Sequence, residues 1–179
     1  MVKNNFKNIG ILGGSFDPPH KGHLYISKQS LKRLKLKKVI WAITKKNPLK
    51  KKSFFSFNMR KKLCQKIIKG NKKIKLRYYE DKLKSKTSIT LIKFLKKYNK
   101  YKIFFIIGSD NLINFHKWKS YKELLKMSIL VVFSRKGFDT KAKKSVIMRY
   151  PESKNIKFIN NLKINISSTR LRKKIINGS

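Results

Sequence analysis

Short apolar runs alternate with amphipathic stretches along the whole chain. The apolar runs are rich in β-branched and aromatic residues, as buried strands usually are, and they predict strands at 8–16, 38–44, 74–80, 102–110, 129–135 and 155–160. The amphipathic stretches carry apolar residues at roughly helical spacing, which predicts helices at 23–34, 56–70, 88–99, 121–127 and 167–177. Residues 45–55 lack a regular period, so we expect a loop there.

This alternation of strand and helix predicts an α/β fold, in which a parallel sheet is covered by helices on both faces. No internal repeat, linker or break in composition divides the chain, so we expect a single domain over residues 1–179. Ligands of such sheets bind at the carboxyl ends of the strands, near the point where the strand order reverses. The segments that directly follow the predicted strands are therefore the candidate binding segments.

The cysteine content and the hydropathy indicate a protein of the reducing cytoplasm. Cys64 is the only cysteine, which excludes an internal disulfide, and it lies on a predicted helix where we expect a buried or half-buried thiol. No apolar run approaches the roughly 20 residues of a membrane span. The polar N-terminal segment also lacks the apolar middle of a secretory signal. The prediction is a cytoplasmic protein without a membrane partner.

The charge is extreme, with 48 Lys and Arg residues against 7 Asp and Glu residues and a formal net charge of +41. The basic residues occur in nearly every segment, and no zinc-ligand pattern, basic-region heptad or RNA-recognition signature accompanies them. We therefore predict no specific nucleic-acid partner. A basic nucleic-acid-binding protein is the alternative, and it would bind in a way that survives physiological salt. The same positive field favours an anionic small substrate.

The stretch GGSFDPPHKGHL, residues 13–24, contains the most specific chemistry. Gly13 and Gly14 permit a tight turn and a close approach to a phosphate, but the spacing matches neither the G-x-G-x-x-G fingerprint nor a Walker loop. His20 and His23 start a predicted helix and share one face beside its unpaired N–H groups. This arrangement favours an anion site suited to the triphosphate of ATP. Metal ligation, for which few further ligands are near, and a structural role are the alternatives.

Two separated motifs resemble the signatures of a known family. GGSFDPPHKGHL is similar to the first signature of the nucleotidyltransferase superfamily that carries an H-x-G-H element, and ISSTRLR at 166–172 resembles its second signature. Within that superfamily the chain resembles the bacterial nicotinate-nucleotide adenylyltransferases in four further segments. They are NPLKKK at 47–52, SKTSITL at 85–91, FFIIGSDNLINFHKW at 104–118 and FSRKGF at 133–138. The resemblance implies a Rossmann-like, doubly wound parallel sheet.

The resemblance also implies a reaction, the transfer of AMP from ATP to nicotinate mononucleotide with release of pyrophosphate. The phosphate oxygen of this acceptor is already nucleophilic at neutral pH, so no enzyme base or covalent intermediate is needed. Catalysis then consists of aligning that oxygen with the α-phosphorus and neutralising the charge that builds on the pyrophosphate. The implied cofactor is Mg²⁺, bound with ATP as the co-substrate, and no protein residue is predicted as a metal ligand.

Roles for individual residues follow from the same resemblance. The expected catalytic residues are His20, His23 and Arg172. The expected ATP-binding residues are Gly13, Gly14, Ser15, Phe16, His20, His23, Lys50, Ser167, Ser168, Thr169 and Arg172. The expected substrate-binding residues are Thr87, Asp110, Trp118 and Arg135. In this assignment Asp110 holds a ribose hydroxyl, Trp118 stacks on the nicotinate ring and the Thr87 backbone N–H orients that ring. Alternatively, Asp110 caps a helix and Trp118 packs in the core.

The acceptor is the part of the reaction that the motifs leave open. Nicotinamide mononucleotide or phosphopantetheine would keep the same chemistry. His20 and the segment 110–118 speak against phosphopantetheine, because the enzymes that use it usually carry threonine at the first histidine's place and lack this segment. Leu49, Ile89 and Lys136 depart from the family pattern near the second substrate, so the acid and amide mononucleotides are not distinguished. No oligomeric state is predicted.

Overall fold

A computed structural model describes residues 7–45, 52–98, 101–160 and 167–177 of the chain. The strands are β1 (Lys7–Gly14), β2 (Lys38–Ile43), β3 (Ile74–Arg77), β4 (Tyr101–Gly108), β5 (Ile129–Phe133) and β6 (Ile156–Ile159). The helices are α1 (Lys21–Arg33), α2 (Phe57–Ile68), α3 (Glu80–Leu83), α4 (Ser88–Tyr98), α5 (Ser109–Leu112), α6 (Tyr121–Met127), α7 (Asp139–Lys143) and α8 (Ser168–Ile176). Short 3₁₀ turns lie at Phe115–Lys117, Val146–Arg149 and Pro151–Asn155. None of the helices in these ranges is both long and apolar enough to cross a membrane.

The strands form one six-stranded parallel sheet in the order β3-β2-β1-β4-β5-β6. β1 pairs with β2 on one side, where Gly14 lies beside Ile43, and with β4 on the other, where Leu12 lies beside Ile106. The chain winds outward in opposite directions from β1 and β4, which opens a crevice at their carboxyl ends. The predicted α/β fold, a Rossmann-like doubly wound parallel sheet, is confirmed.

Both faces of the sheet are buried, which explains why the strands read as continuous apolar runs. On β4, Phe105 and Ile107 pack with residues of α4 and α6, whereas Phe104 and Ile106 pack with residues of α1 and α2. Cys64 on α2 belongs to the second layer and is fully buried, and this burial raises the pKa of its thiol to about 12. The buried helical thiol that the sequence predicts is confirmed.

The structure differs from the predicted elements mainly at their ends. β3 ends at Arg77 and β4 at Gly108, because the chain turns into the single helical turns α3, two residues after β3, and α5, directly after β4. Helix α1 begins at Lys21, two residues before its predicted start, because His20 is the N-cap. The segment 139–155, for which no element is predicted, holds α7 and two 3₁₀ turns that are too short to show a period.

Candidate active site

A cleft of about 720 Å³ opens at the carboxyl ends of the central strands. Its walls come from the β1–α1 loop, the ends of β2, β4 and β5, and the first turns of α4 and α8. Twelve of the residues predicted for the site line it: Gly13, Gly14, Ser15, Phe16, His20, His23, Thr87, Asp110, Trp118, Arg135, Ser168 and Thr169. The two signature motifs, from opposite ends of the chain, therefore share one cleft.

The paired imidazoles form the start of α1. As the N-cap, His20 accepts a hydrogen bond at Nδ1 from the Gly22 N–H at 3.1 Å, and Nδ1 of His23 accepts one from the His20 N–H at 3.2 Å. The two ring centroids are 3.8 Å apart. Because both Nδ1 atoms accept, each neutral ring carries its proton on Nε2, and that N–H is the donor that remains for a ligand.

Burial keeps both rings uncharged at neutral pH. Desolvation, reinforced by the Arg135 guanidinium, lowers the pKa of His20 from 6.5 to about 4. Desolvation first, and then His20 and Arg135, hold the pKa of His23 well below its ordinary value. The pair can therefore donate hydrogen bonds to phosphate oxygens as neutral rings.

Helix α8 docks on the β1–α1 loop. The Ser168 hydroxyl donates to the Pro18 carbonyl at 2.9 Å. The Arg172 guanidinium donates to the Asp17 carbonyl and, at 3.1 Å, to the Thr169 hydroxyl. These contacts place the first turn of α8, where helix N–H groups lack intrahelical partners, at the edge of the cleft beside the histidine loop.

Three predicted ATP-binding residues are placed differently from the rest. Lys50 lies outside the described residues. Ser167 is buried and does not line the cleft, because its side chain caps α8 by accepting a hydrogen bond from the Arg170 N–H at 3.1 Å. Arg172 also does not line the cleft, and its guanidinium is engaged by the Asp17 carbonyl and the Thr169 hydroxyl. The roles of these three residues toward ATP stay predictions.

Asp110 and Arg135 form an ion pair across the ends of β4 and β5. The second carboxylate oxygen, Asp110 Oδ1, is buried without a hydrogen-bond partner among the described residues. Gly108, not Asp110, is the N-cap of α5, so a capping role does not account for this carboxylate. A Cβ at Gly108 would lie 2.5 Å from Asp110 Oδ1, so the glycine makes room for it. An acceptor atom is thus available at the cleft for a ligand hydroxyl.

Trp118 and the first turn of α4 form another part of the wall. The half-buried Trp118 ring packs on Phe115, with ring centroids 5.1 Å apart, and meets Phe105 edge-on at 6.1 Å. Packing and ligand stacking are therefore compatible for this ring. The Thr87 N–H donates to Ser85 Oγ at 3.3 Å, so it would have to exchange this long hydrogen bond to orient a ligand.

Two residues that hold the end of β2 beside the cleft were not predicted. The buried Arg60 guanidinium donates to the carbonyls of Thr44 at 2.8 Å and Lys45 at 2.7 Å. The Glu80 carboxylate lines the cleft and accepts from the Thr44 hydroxyl and, at 3.1 Å, from the Lys45 N–H. The only sequence signal for Arg60 is that it is an arginine among lysines on α2. Such a position can indicate a need for several hydrogen bonds, because the planar guanidinium serves several acceptors at once.

The profile of the cytidylyltransferase-like family matches residues 11–174, and the chain belongs to this family. Relatives with a specific name are close in sequence. A probable nicotinate-nucleotide adenylyltransferase of Pelagibacter ubique is 52% identical over 165 residues, which are 92% of each chain. Another, from Clostridium tetani, is 36% identical over 96% of this chain and 88% of its own. These relatives confirm the resemblance that the motifs indicate.

A solved structure supports the same relationship. The Plasmodium falciparum nicotinic acid mononucleotide adenylyltransferase, complexed with NaAD, is similar with a TM-score of 0.75 and 25% sequence identity. The similarity covers 96% of this chain and 88% of that chain. The fold is therefore shared over nearly the whole length, despite the extreme charge of this protein.

Proposed function

We propose that the protein transfers the AMP group of ATP to nicotinate mononucleotide, giving deamido-NAD and pyrophosphate in NAD biosynthesis. One observation supports this proposal most directly. The H-x-G-H loop, the start of α8, Asp110 and Trp118 line a single cleft although they are far apart in sequence. The volume of about 720 Å³ is typical of small-molecule sites. The relatives described above carry the name of this activity.

The proposed reaction needs alignment and charge stabilisation more than proton transfer. An acceptor phosphate oxygen bonds to the α-phosphorus of ATP while the bond from that phosphorus to the bridging oxygen of the β-phosphate breaks. The electron pair of the broken bond leaves with pyrophosphate. The Nε2–H groups of His20 and His23 donate to the triphosphate, and His23 stabilises the α-phosphate as charge moves to the leaving oxygen. Backbone groups of residues 13–16 and polar groups of residues 167–169 make further phosphate contacts.

The second substrate occupies the part of the cleft near α4 and β5. Trp118 stacks on the pyridine ring, and the Thr87 backbone orients it. Asp110 Oδ1, which has no partner among the described residues, accepts a ribose hydroxyl. Arg135 lies close to the acceptor and is held in place by the same carboxylate.

Local charge supports the acid form of the acceptor over the amide. Lys86, Lys117 and Lys119 all line the cleft around Trp118. Such cations favour the carboxylate of nicotinate over a neutral carboxamide. We therefore propose nicotinate mononucleotide as the preferred acceptor.

We propose that Mg²⁺ arrives with ATP, held by phosphate oxygens and water, as this hard cation often is at nucleotide sites. Among the described residues no group of three or more His, Cys, Asp or Glu could hold a metal ion. Bound with ATP, Mg²⁺ would supply positive charge beside the phosphates. Lys50 and Arg172 add cationic contacts to the same end of ATP.

We also propose that residues 1–179 form one nucleotidyltransferase domain in which α8 is part of the active site. The docking of α8 on the histidine loop supports this unit. A cytoplasmic location suits an ATP-dependent biosynthetic reaction and a chain whose one cysteine is a buried thiol.

A substrate panel tests the function. The protein is incubated with Mg-ATP and one of nicotinate mononucleotide, nicotinamide mononucleotide or phosphopantetheine, and pyrophosphate and the dinucleotide product are measured. We expect release of pyrophosphate with nicotinate mononucleotide at the highest kcat/KM. Activity with phosphopantetheine alone would reject the proposal, and a preference for the amide would reject the assigned acceptor. Nucleic-acid binding that persists above about 0.2 M salt, without adenylyl transfer, would support the alternative function.

A further inference from the structure

Arg60 is a buried cation that does not line the cleft. It is 1% exposed, and desolvation lowers the pKa of its guanidinium. Its hydrogen bonds within the described part of the chain go to the backbone carbonyls of Ser15, Thr44, Lys45 and Phe55. The chain has a net charge of +41, but this guanidinium is buried away from the cleft. It can therefore affect the cleft only through the backbone groups that it holds.

The hydrogen bonds at the end of β1 fix the direction of two successive peptide groups. The Gly14 carbonyl accepts from the Thr44 N–H at 3.1 Å, and the Ser15 carbonyl accepts from Arg60. Both carbonyls therefore point toward the end of β2. The peptide bonds on either side of Ser15 are trans, so the Ser15 and Phe16 N–H groups point the opposite way, away from the end of β2, and both residues line the cleft.

Two neighbouring N–H groups that point the same way form a concave anion site. We propose that Arg60 is a positioning residue that holds the Ser15 carbonyl back, so that the Ser15 and Phe16 N–H groups face the nucleotide phosphates. Phe16 is fixed in the matching conformation, because its φ is 47° and its ring stacks on the buried Trp41 at 4.8 Å. This inference rests on the proposed function only in taking ATP as the anion that the two N–H groups bind.

Arg60→Lys tests this role, because it keeps the positive charge and removes the planar fork that serves several carbonyls. The dissociation constants of ATP and of inorganic triphosphate are measured without any acceptor. Steady-state kinetics then give KM for each substrate and kcat. We expect both dissociation constants to rise about 10-fold or more, as for the loss of two modest hydrogen bonds. We expect KM for nicotinate mononucleotide to stay within about twofold, because Arg60 does not touch that part of the cleft.

Two controls separate positioning from loss of stability. Lys62→Met removes a charge from the exposed face of the same helix, and we expect unchanged constants. Ile74→Ala leaves a cavity in β3, a buried site away from the cleft, and it lowers Tm without altering triphosphate binding. Equal dissociation constants for wild type and Arg60→Lys would overturn the proposal. The proposal would also be overturned if Ile74→Ala, at the same Tm as Arg60→Lys, lost as much triphosphate affinity as Arg60→Lys does.

A measurement on the unaltered protein keeps the proposal testable if Arg60→Lys does not fold. Titration with inorganic triphosphate should shift the amide resonances of Ser15 and Phe16 more than those of Lys62 and other exposed residues. Unmoved Ser15 and Phe16 resonances at saturation would overturn the proposal. The proposed function fails separately, if wild type binds triphosphate in this way but produces no deamido-NAD.

Discussion

Carboxylates at the cleft and carboxylates on the outer surface of this protein have different partners. At the cleft the partners are backbone N–H groups and a guanidinium. The Asp17 carboxylate is 3% exposed and accepts from the Phe54 and Phe55 N–H groups at 2.8 and 2.9 Å. Asp110 pairs with the guanidinium of Arg135. These carboxylates fix the direction of loops and side chains that line or border the binding site.

On the outer surface the carboxylates meet lysines. Glu123 lies 2.7 Å from Lys93, and Glu152 lies 3.7 Å from Lys126. Both lysine side chains are more than half exposed, and such pairs contribute little to stability. The comparison shows that the cleft carboxylates hold backbone N–H groups and a guanidinium in fixed directions, whereas the surface carboxylates only meet exposed lysines of a chain with net charge +41.

The largest effect is expected at His23, whose Nε2–H we propose as a donor to the α-phosphate. His23→Ala removes a neutral donor that acts on developing charge, so kcat should fall by roughly 10²–10³-fold. Thermal unfolding should shift by only a few degrees. Lys28→Ala, on the exposed face of the same helix, is the control, with kcat within about twofold of wild type. A His23→Ala enzyme with wild-type kcat would remove His23 from the mechanism.

The next effect tests the ion pair at the cleft directly. Asp110→Asn keeps the size of the side chain but leaves the Arg135 guanidinium without its counter-charge, and it weakens the acceptor that we propose for a ribose hydroxyl. We expect kcat/KM to fall by about 10–100-fold, as for the loss of one or two charge-assisted hydrogen bonds. Steady-state kinetics with each substrate varied in turn measure this change. A loss of less than twofold would mean that the pair is as dispensable as a surface pair.

A smaller effect should appear in the pH dependence of stability. The pKa of His20 is lowered to about 4 in the folded protein, against 6.5 when unperturbed, and that of His23 is also lowered. The unfolded chain therefore binds more protons between these values. The stabilising contribution is complete above pH 6.5 and is lost as the pH falls toward 4.

Urea unfolding between pH 4.5 and 7.5 measures this contribution. The free energy of unfolding of wild type should fall more steeply with decreasing pH than that of the double variant His20→Ala/His23→Ala. Parallel curves for the two proteins would show that the imidazoles ionise alike in the folded and unfolded states. Between pH 6 and 8 the rings stay neutral, so their titration should not alter kcat/KM.

The fold could be predicted from the sequence because the sheet is buried on both faces and inner strands such as β4 and β5 are nearly continuous apolar runs. Element ends could not be predicted as well, because capping decides them. His20 ends a loop and starts α1 through its own ring nitrogen, an unusual N-cap. Glu80 and Ser109 start single helical turns within two residues of a strand end, and a turn of four residues is too short to show a period.

The residues of the site also fall into those that the sequence predicts and those that it does not. Residues in local motifs, such as His20, His23 and Trp118, could be found because their neighbours in sequence mark them, and all three line the cleft. Arg60 and Glu80 could not, because their partners are backbone groups of Thr44 and Lys45 that folding alone brings near. Nothing in a sequence records which carbonyl a long side chain will reach.

The smallest effect is expected at the surface and completes the comparison. Glu123→Gln removes the charge that faces Lys93 while keeping the side-chain size, and both groups are at least 41% exposed. The free energy of unfolding should change by less than about 1 kcal/mol, because solvent and salt screen such pairs. Urea unfolding at low and high salt measures the change, and kcat should stay within about twofold. If Glu123→Gln lowered activity as much as Asp110→Asn, the carboxylate contacts at the cleft would matter no more for activity than those on the outer surface.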